Sequence, residues 1–158
     1  MFTNTRHTGL VVNDLKKAQQ FYQELGFELV STDIESGYFI EQVTGIEGSK
    51  LEWVKLSLGD GVLLELLHYH VPGNVYFREV CQSGDKLLPE HCYPSNMHGC
   101  SHIAYSTDDI EACCEKITSM GGRVVNKPAL APNGKVKVAY SYDLDGILME
   151  IVEELSHG

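Results

Sequence analysis

The chain has 158 residues, 43% of them hydrophobic and 22% charged, the composition of an ordinary globular protein with one domain or two small units sharing a core. A formal charge of -10 argues against a nucleic-acid or anionic-membrane surface, and Arg6, Arg78 and Arg123 are the only guanidinium groups available to clamp a polyanionic substrate. The opening MFTNTRHTGLVVNDL lacks the basic flank and apolar core of a secretory signal, and no later run approaches the roughly 20 apolar residues of a membrane span. Cys81, Cys92, Cys100, Cys113 and Cys114 form no CxxC pair and are odd in number, which fits free thiols in a reducing compartment. The expected location is the cytoplasm, with no nucleic-acid or membrane partner.

In chain order, HTGLVVN at 7 to 13 reads as a strand, after which Asp14 caps a helix carrying Leu15, Ala18, Tyr22 and Leu25 at helical spacing and ending at Gly26. FELVSTD, LEWVKLSL and VLLELLHY follow as strands separated by turn residues. The next thirty residues, HVPGNVYFREVCQSGDKLLPEHCYPSNMHG, contain three of the five prolines and read as a linker with local structure or a loop over a site. HIAYSTD at 102 to 108 is then a second opening strand, Asp109 a second cap, and Ile110, Cys113, Ile117 and Met120 a second apolar helix face before Gly121 and Gly122. RVVNKP, KVKVAYSY and ILMEIVEE complete the pattern, with Asn133-Gly134 as a hairpin-turn pair.

The two halves repeat each other. Counted from His7 and from His102, Asp stands at offset seven, apolar residues at eight, eleven, fifteen and eighteen, and Gly at nineteen. Each half closes on an Asp-Gly followed by an apolar run with one carboxylate, DGVLLEL with Glu65 and DGILMEIV with Glu150. The expectation is an α+β protein of two tandem βαβββ modules. Module one covers about 5 to 70, the linker about 71 to 98 and module two about 99 to 155, within one domain spanning residues 1 to 158.

A carboxylate in a strand that looks buried costs several kcal/mol unless it is paired, protonated or bound to a metal. Strand alternation supplies the partners. His7 shares a face with Gly9 and Val11, His102 with Ala104 and Ser106, Glu65 with Leu63 and Leu67, and Glu150 with Leu148 and Val152. The opposite faces, with Leu10, Val12, Ile103, Tyr105, Val62, Leu64, Ile147 and Met149, are suited to packing under the helices. If a pseudo-twofold relates the halves, His7, Glu65, His102 and Glu150 converge on one divalent ion, and two imidazoles with two carboxylates fit Zn, Ni, Co, Mn or Fe(II) without choosing among them. Taken singly, a strand histidine or glutamate is usually a satisfied or exposed polar residue; four at duplicated positions favour ligation.

The stretches HTGLVVNDLKKAQQFYQELGF at 7 to 27, GVLLELLHY at 61 to 69, HGCSHIAYSTDDIEACCEKITSMGGRV at 98 to 124 and YDLDGILMEIVE at 142 to 153 resemble the vicinal oxygen chelate superfamily. That superfamily includes glyoxalase I, methylmalonyl-CoA epimerase, extradiol dioxygenases and the fosfomycin and bleomycin resistance proteins. The resemblance implies paired βαβββ modules in a curved, mostly antiparallel eight-stranded sheet around a metal site, helices on its outer face, often completed by dimerisation. A homodimer is therefore the expected assembly, with a monomer closing its own site as the alternative. It also carries the metal positions onto His7, Glu65, His102 and Glu150. Ring-cleaving dioxygenases use three ligands and need none at Glu65, whereas the lyases and isomerases use four.

By that resemblance the chain is a metal-dependent lyase or isomerase handling the proton alpha to a carbonyl of a small molecule with vicinal oxygens, through a metal-stabilised enediolate. Glu150 is the favoured base by resemblance to glyoxalase I and Glu65 the other candidate. The alternatives are a Fe(II) ring-cleaving dioxygenase and a non-catalytic, drug-sequestering binder. Glu41, Gln42 and Glu52 are read as surface polar residues, and the spacing of His68, His70, His91, His98, Cys92 and Cys100 fits no second zinc pattern.

Overall fold

The computed structural model describes residues 6–44, 46–70, 102–132 and 134–155. The chain divides into two compact units, Met1–Gln82 and Ser83–Gly158. The segment read as a linker and Asn133 of the expected hairpin turn lie outside the described residues.

The first unit runs β1 (His7–Val11), α1 (Leu15–Glu24), β2 (Glu28–Ser36), α2 (Tyr38–Thr44), β3 (Lys50–Ser57) and β4 (Leu63–Tyr69). Its four strands form one sheet in the order β1-β4-β3-β2, with β1 and β4 parallel and the other pairs antiparallel. Asp14 starts α1 by accepting a hydrogen bond from the Lys17 N–H at 3.0 Å, which satisfies one of the helix's unpaired donors. Leu15, Ala18, Phe21 and Tyr22 point inward from α1, and Leu10, Val12, Val54, Leu56, Leu64 and Leu66 are buried with them. These sheet residues have one parity on each strand, so one sheet face is the core and the other is left for His7, Glu65 and their neighbours. Full burial of a leucine such as Leu56 or Leu66, both 0% exposed, stabilises by about 2 kcal/mol.

The second unit repeats this plan with β5 (Ile103–Ser106), α3 (Ile110–Ser119), β6 (Arg123–Val124), β7 (Ala129–Leu130), β8 (Val136–Tyr142) and β9 (Leu148–Glu154). Its sheet has the order β5-β9-β8-β6, with β7 also paired to β8; β5 and β9 are parallel. Asp109 caps α3 through the Ala112 N–H at 2.9 Å, and Glu153 from β9 accepts from the Ile110 N–H at 3.0 Å, so sheet and helix share the cap. Gly61 and Gly146, of the two Asp-Gly pairs, have φ of 84° and 78°, a backbone region in which a side chain is strained and which turns the chain into each closing strand.

The α+β class and the duplicated unit are as expected. The single eight-stranded sheet is not matched: each unit has its own sheet, one of four strands and one of five. RVVNKP is a strand only at Arg123–Val124, since Pro128 has no N–H for a ladder; pairing to β8 resumes at β7. FELVSTD extends to Ser36, because β3 offers it partners as far as Lys50. On α3 the buried cysteine is Cys114 rather than Cys113, giving an Ile110, Cys114, Ile117 stripe at four- and three-residue steps. Val62, assigned to the core side, is 54% exposed, as β4 begins one residue later. The helix α2 was not foreseen; it buries Ile40 and leaves Tyr38, Phe39 and Val43 exposed. No described helix is long and apolar enough to cross a membrane.

Candidate metal centre

In the first unit the parallel register sets Gly9 beside Glu65 and His7 beside Leu63, so His7 reaches along the sheet to the next same-face position. Its Nε2 lies 2.9 Å from Glu65 Oε2. In the second unit Ala104 is beside Glu150, and His102, which immediately precedes β5, places Nε2 2.9 Å from Glu150 Oε2. The two arrangements match strand for strand. A small residue occupies the rung next to each glutamate: a Cβ on Gly9 would already meet Leu67 Cδ1 at 3.1 Å.

The donors suit a divalent ion. Two donors held at about 2.1 Å from one ion and at right angles to each other are roughly 3 Å apart, which the 2.9 Å pairs meet. Imidazole nitrogen with carboxylate oxygen is the borderline donor set of Zn, Ni, Co, Mn and Fe(II). Among the described residues, no group of three or more His, Cys, Asp or Glu gathers in metal-binding geometry; each unit holds one histidine–glutamate pair of this kind.

Sequence reasoning missed Lys55. The antiparallel register of β3 and β4 puts Lys55 directly across from Glu65, and its Nζ is 3.3 Å from Glu65 Oε1 and 4.2 Å from the centre of the Trp53 ring. Glu65, 8% exposed, thus has a partner on each carboxylate oxygen, the His7 imidazole from β1 and the Lys55 ammonium from β3. Counting outward from the Asp60-Gly61 turn would have exposed this neighbour. In the second unit the same rung holds Tyr140 opposite Glu150, its ring centre 5.3 Å from that of His102.

The secondary candidates lie elsewhere. Glu41 accepts from the Gly48 N–H at 3.1 Å, and Gln42 is exposed on α2. Glu52 pairs with His70 at 3.0 Å, and His68 Nδ1 donates to the Val12 carbonyl at 3.2 Å; Glu52 and His68 face each other on the core-side parity of β3 and β4. His91, His98, Cys92 and Cys100 are outside the described residues. Burial raises the thiol pKa of Cys113 and of Cys114, with smaller upward contributions from Asp109 and Cys113 respectively, so neither is an activated thiolate.

Two βαβββ units, each pairing a histidine at or just before its first strand with a glutamate on its last, define a duplicated α+β scaffold. The chain belongs to the Glyoxalase/Bleomycin resistance protein/Dioxygenase superfamily, whose sequence model matches residues 5–151. It is 30% identical over 152 residues to a protein of Synechocystis named probable lactoylglutathione lyase, covering 95% of each chain. It is 29% identical over 153 residues to the lactoylglutathione lyase of Haemophilus influenzae, covering 95% of this chain and 92% of that one. In structure it is similar to a glyoxalase family protein from Bacillus cereus, with a TM-score of 0.82, 22% identity, and coverage of 99% of this chain and 97% of the other.

Proposed function

We propose that this chain is a divalent-metal-dependent, glyoxalase-like lyase or isomerase acting on the proton alpha to a carbonyl of a small molecule with vicinal oxygens. The observation that carries this reading is the repeated histidine–glutamate pair, at 2.9 Å and at the same rung in each unit. His7, Glu65, His102 and Glu150 would hold the ion, and when bound it supplies Lewis-acid stabilisation of negative charge on the substrate oxygens.

The protein groups do the rest. Glu150 takes the proton from the carbon alpha to the carbonyl; the C–H bonding pair moves toward the carbonyl, whose oxygen gains the charge. Glu150 then returns the proton to the adjacent carbon, which completes an isomerisation; an epimerisation would need a second proton donor on the opposite face of the same carbon. Gly9 and Ala104, the residues on the rungs beside the two glutamates, have the smallest side chains there. The proposed setting is the cytoplasm and the proposed assembly a homodimer, which light scattering tests against a monomer.

The test is metal analysis of protein prepared without chelator, followed by deuterium exchange from solvent into lactoylglutathione, chosen from the names of the relatives, and into α-hydroxy carbonyls and acyl-thioesters. Stoichiometric metal with exchange supports the reading. Oxygen uptake with catechols would move the chain to the dioxygenases, and tight ligand binding without turnover would make it a binder.

A further inference from the structure

The two glutamates are not equivalent, although the pattern that places them is duplicated. Glu65 has Lys55 Nζ at 3.3 Å on Oε1 and His7 Nε2 at 2.9 Å on Oε2, and its side chain is 11% exposed. Glu150 has His102 at 2.9 Å on Oε2, a side chain that is 24% exposed, and Tyr140 in place of a lysine on the rung where the first unit has Lys55. A carboxylate with an imidazole on one oxygen and an ammonium on the other, in a poorly solvated place, loses interactions on any rotation. One whose ion-pair partner among the described residues is a single imidazole, and which is more exposed, moves at less cost.

We infer that Lys55 is a positioning residue that fixes Glu65, so that Glu65 serves only as a stationary ligand and Glu150 is the carboxylate that moves and carries the proton. The inference rests on the function proposed above and deepens it: the symmetry of the ligand set is broken by one lysine on β3. The Lys55 side chain is 26% exposed, and the Trp53 ring under its ammonium restricts where that charge sits. It acts through Glu65.

The experiment compares Glu150→Gln alone with the double variants Glu150→Gln/Lys55→Met and Glu150→Gln/Lys55→Arg in the full chain. Glu150→Gln is expected to lower solvent-proton exchange by at least about 100-fold. Lys55→Met releases Glu65 and is expected to restore exchange at least about tenfold over Glu150→Gln, whereas Lys55→Arg, which keeps the cation, restores none. A second readout needs no turnover: the visible absorption of Co(II)-loaded protein should change in the single variant Lys55→Met and stay as in the parent in Lys55→Arg. Lys55→Gln stands in for Lys55→Met if the latter fails to fold, as judged by circular dichroism. Equal inactivity of both double variants together with an unchanged Co(II) spectrum overturns the inference while leaving the proposed function intact. Parent protein that binds no divalent ion and catalyses no exchange overturns both.

Discussion

Lys55 Nζ and Glu65 Oε1 are 3.3 Å apart across one antiparallel rung of β3 and β4. A strand carboxylate that should be costly to bury therefore sits between the Lys55 ammonium and the His7 imidazole, from the strands on either side of its own. Charge-assisted hydrogen bonds are the stronger kind, and they offset the loss of water around Glu65. The same rung in the second unit pairs Glu150 with Tyr140. A sequence duplication has been kept in its histidine–glutamate pairs and changed in what lies across from the glutamates.

Removing one ligand should separate metal binding from folding. His102→Ala is expected to weaken divalent-ion affinity by more than the roughly 10- to 100-fold that follows loss of an outer partner. His102 is half-buried at the start of β5 and not in the helix-side core, so the thermal midpoint of the metal-free protein should change little. Chelator competition gives the first quantity and a melting curve without metal the second. Treatment of the parent protein with EDTA should abolish proton exchange, and added Zn or Ni should return it.

Two glycines should respond differently to alanine. A Cβ at Gly122 would meet Ile117 Cγ2 at 2.7 Å and the Tyr142 carbonyl oxygen at 2.8 Å, and backbone cannot step aside. Gly122→Ala is expected to destabilise the fold by about 1–3 kcal/mol, read from urea unfolding. At Gly9 the contact is Leu67 Cδ1 at 3.1 Å, the end of a leucine side chain that can turn. Gly9→Ala should cost less than half as much stability while crowding the space beside Glu65, visible as a raised KM.

Helix α1 should lose support in acid. The Lys17 backbone N–H, first among the causes, holds the Asp14 carboxyl below its ordinary value. Because the folded pKa is depressed, the stabilisation is present above the unfolded value of about 4 and is lost as pH falls through the folded one. Asp14→Ala should therefore lower the thermal midpoint near neutral pH and converge on the parent at the acid end. A set of melts between neutral pH and about pH 3 decides it, and a gap independent of pH would refute the role.

The thiols of α3 should be slow. Burial raises both Cys113 and Cys114 above the ordinary thiol value, so the reactive thiolate is scarce near neutral pH. Alkylation of these two positions by iodoacetamide, followed by mass spectrometry, is expected to lag well behind a free cysteine peptide. Denaturant should remove the lag, because the cause is burial.

What could be read from the sequence was whatever depends on local spacing. Alternation along a strand put His7 with Gly9 and Glu65 with Leu63 before any partner strand was known, since a period of two needs only the chain itself. Helix faces and caps were equally legible, from Asp14 and Asp109 to the repeated apolar offsets, apart from the exchange of Cys113 for Cys114. The duplication then connected residues far apart in the chain, because the two copies carry the same text.

The tertiary structure decided what depends on pairing between strands. The separate sheets of four and five strands, the break of the β6 segment near Pro128 and the reach of β2 to Ser36 all follow from which edge finds a partner, and that is not written in any one segment. The same holds for Lys55. Nothing in LEWVKLSL marks its lysine as different from any solvent-facing residue, and only the register of β3 on β4 brings that ammonium to Glu65. The sequence by itself determined the two histidines and two glutamates as a matched set. Cross-strand register, which sums contacts along whole strands, decided that Lys55 lies across from Glu65 and Tyr140 across from Glu150.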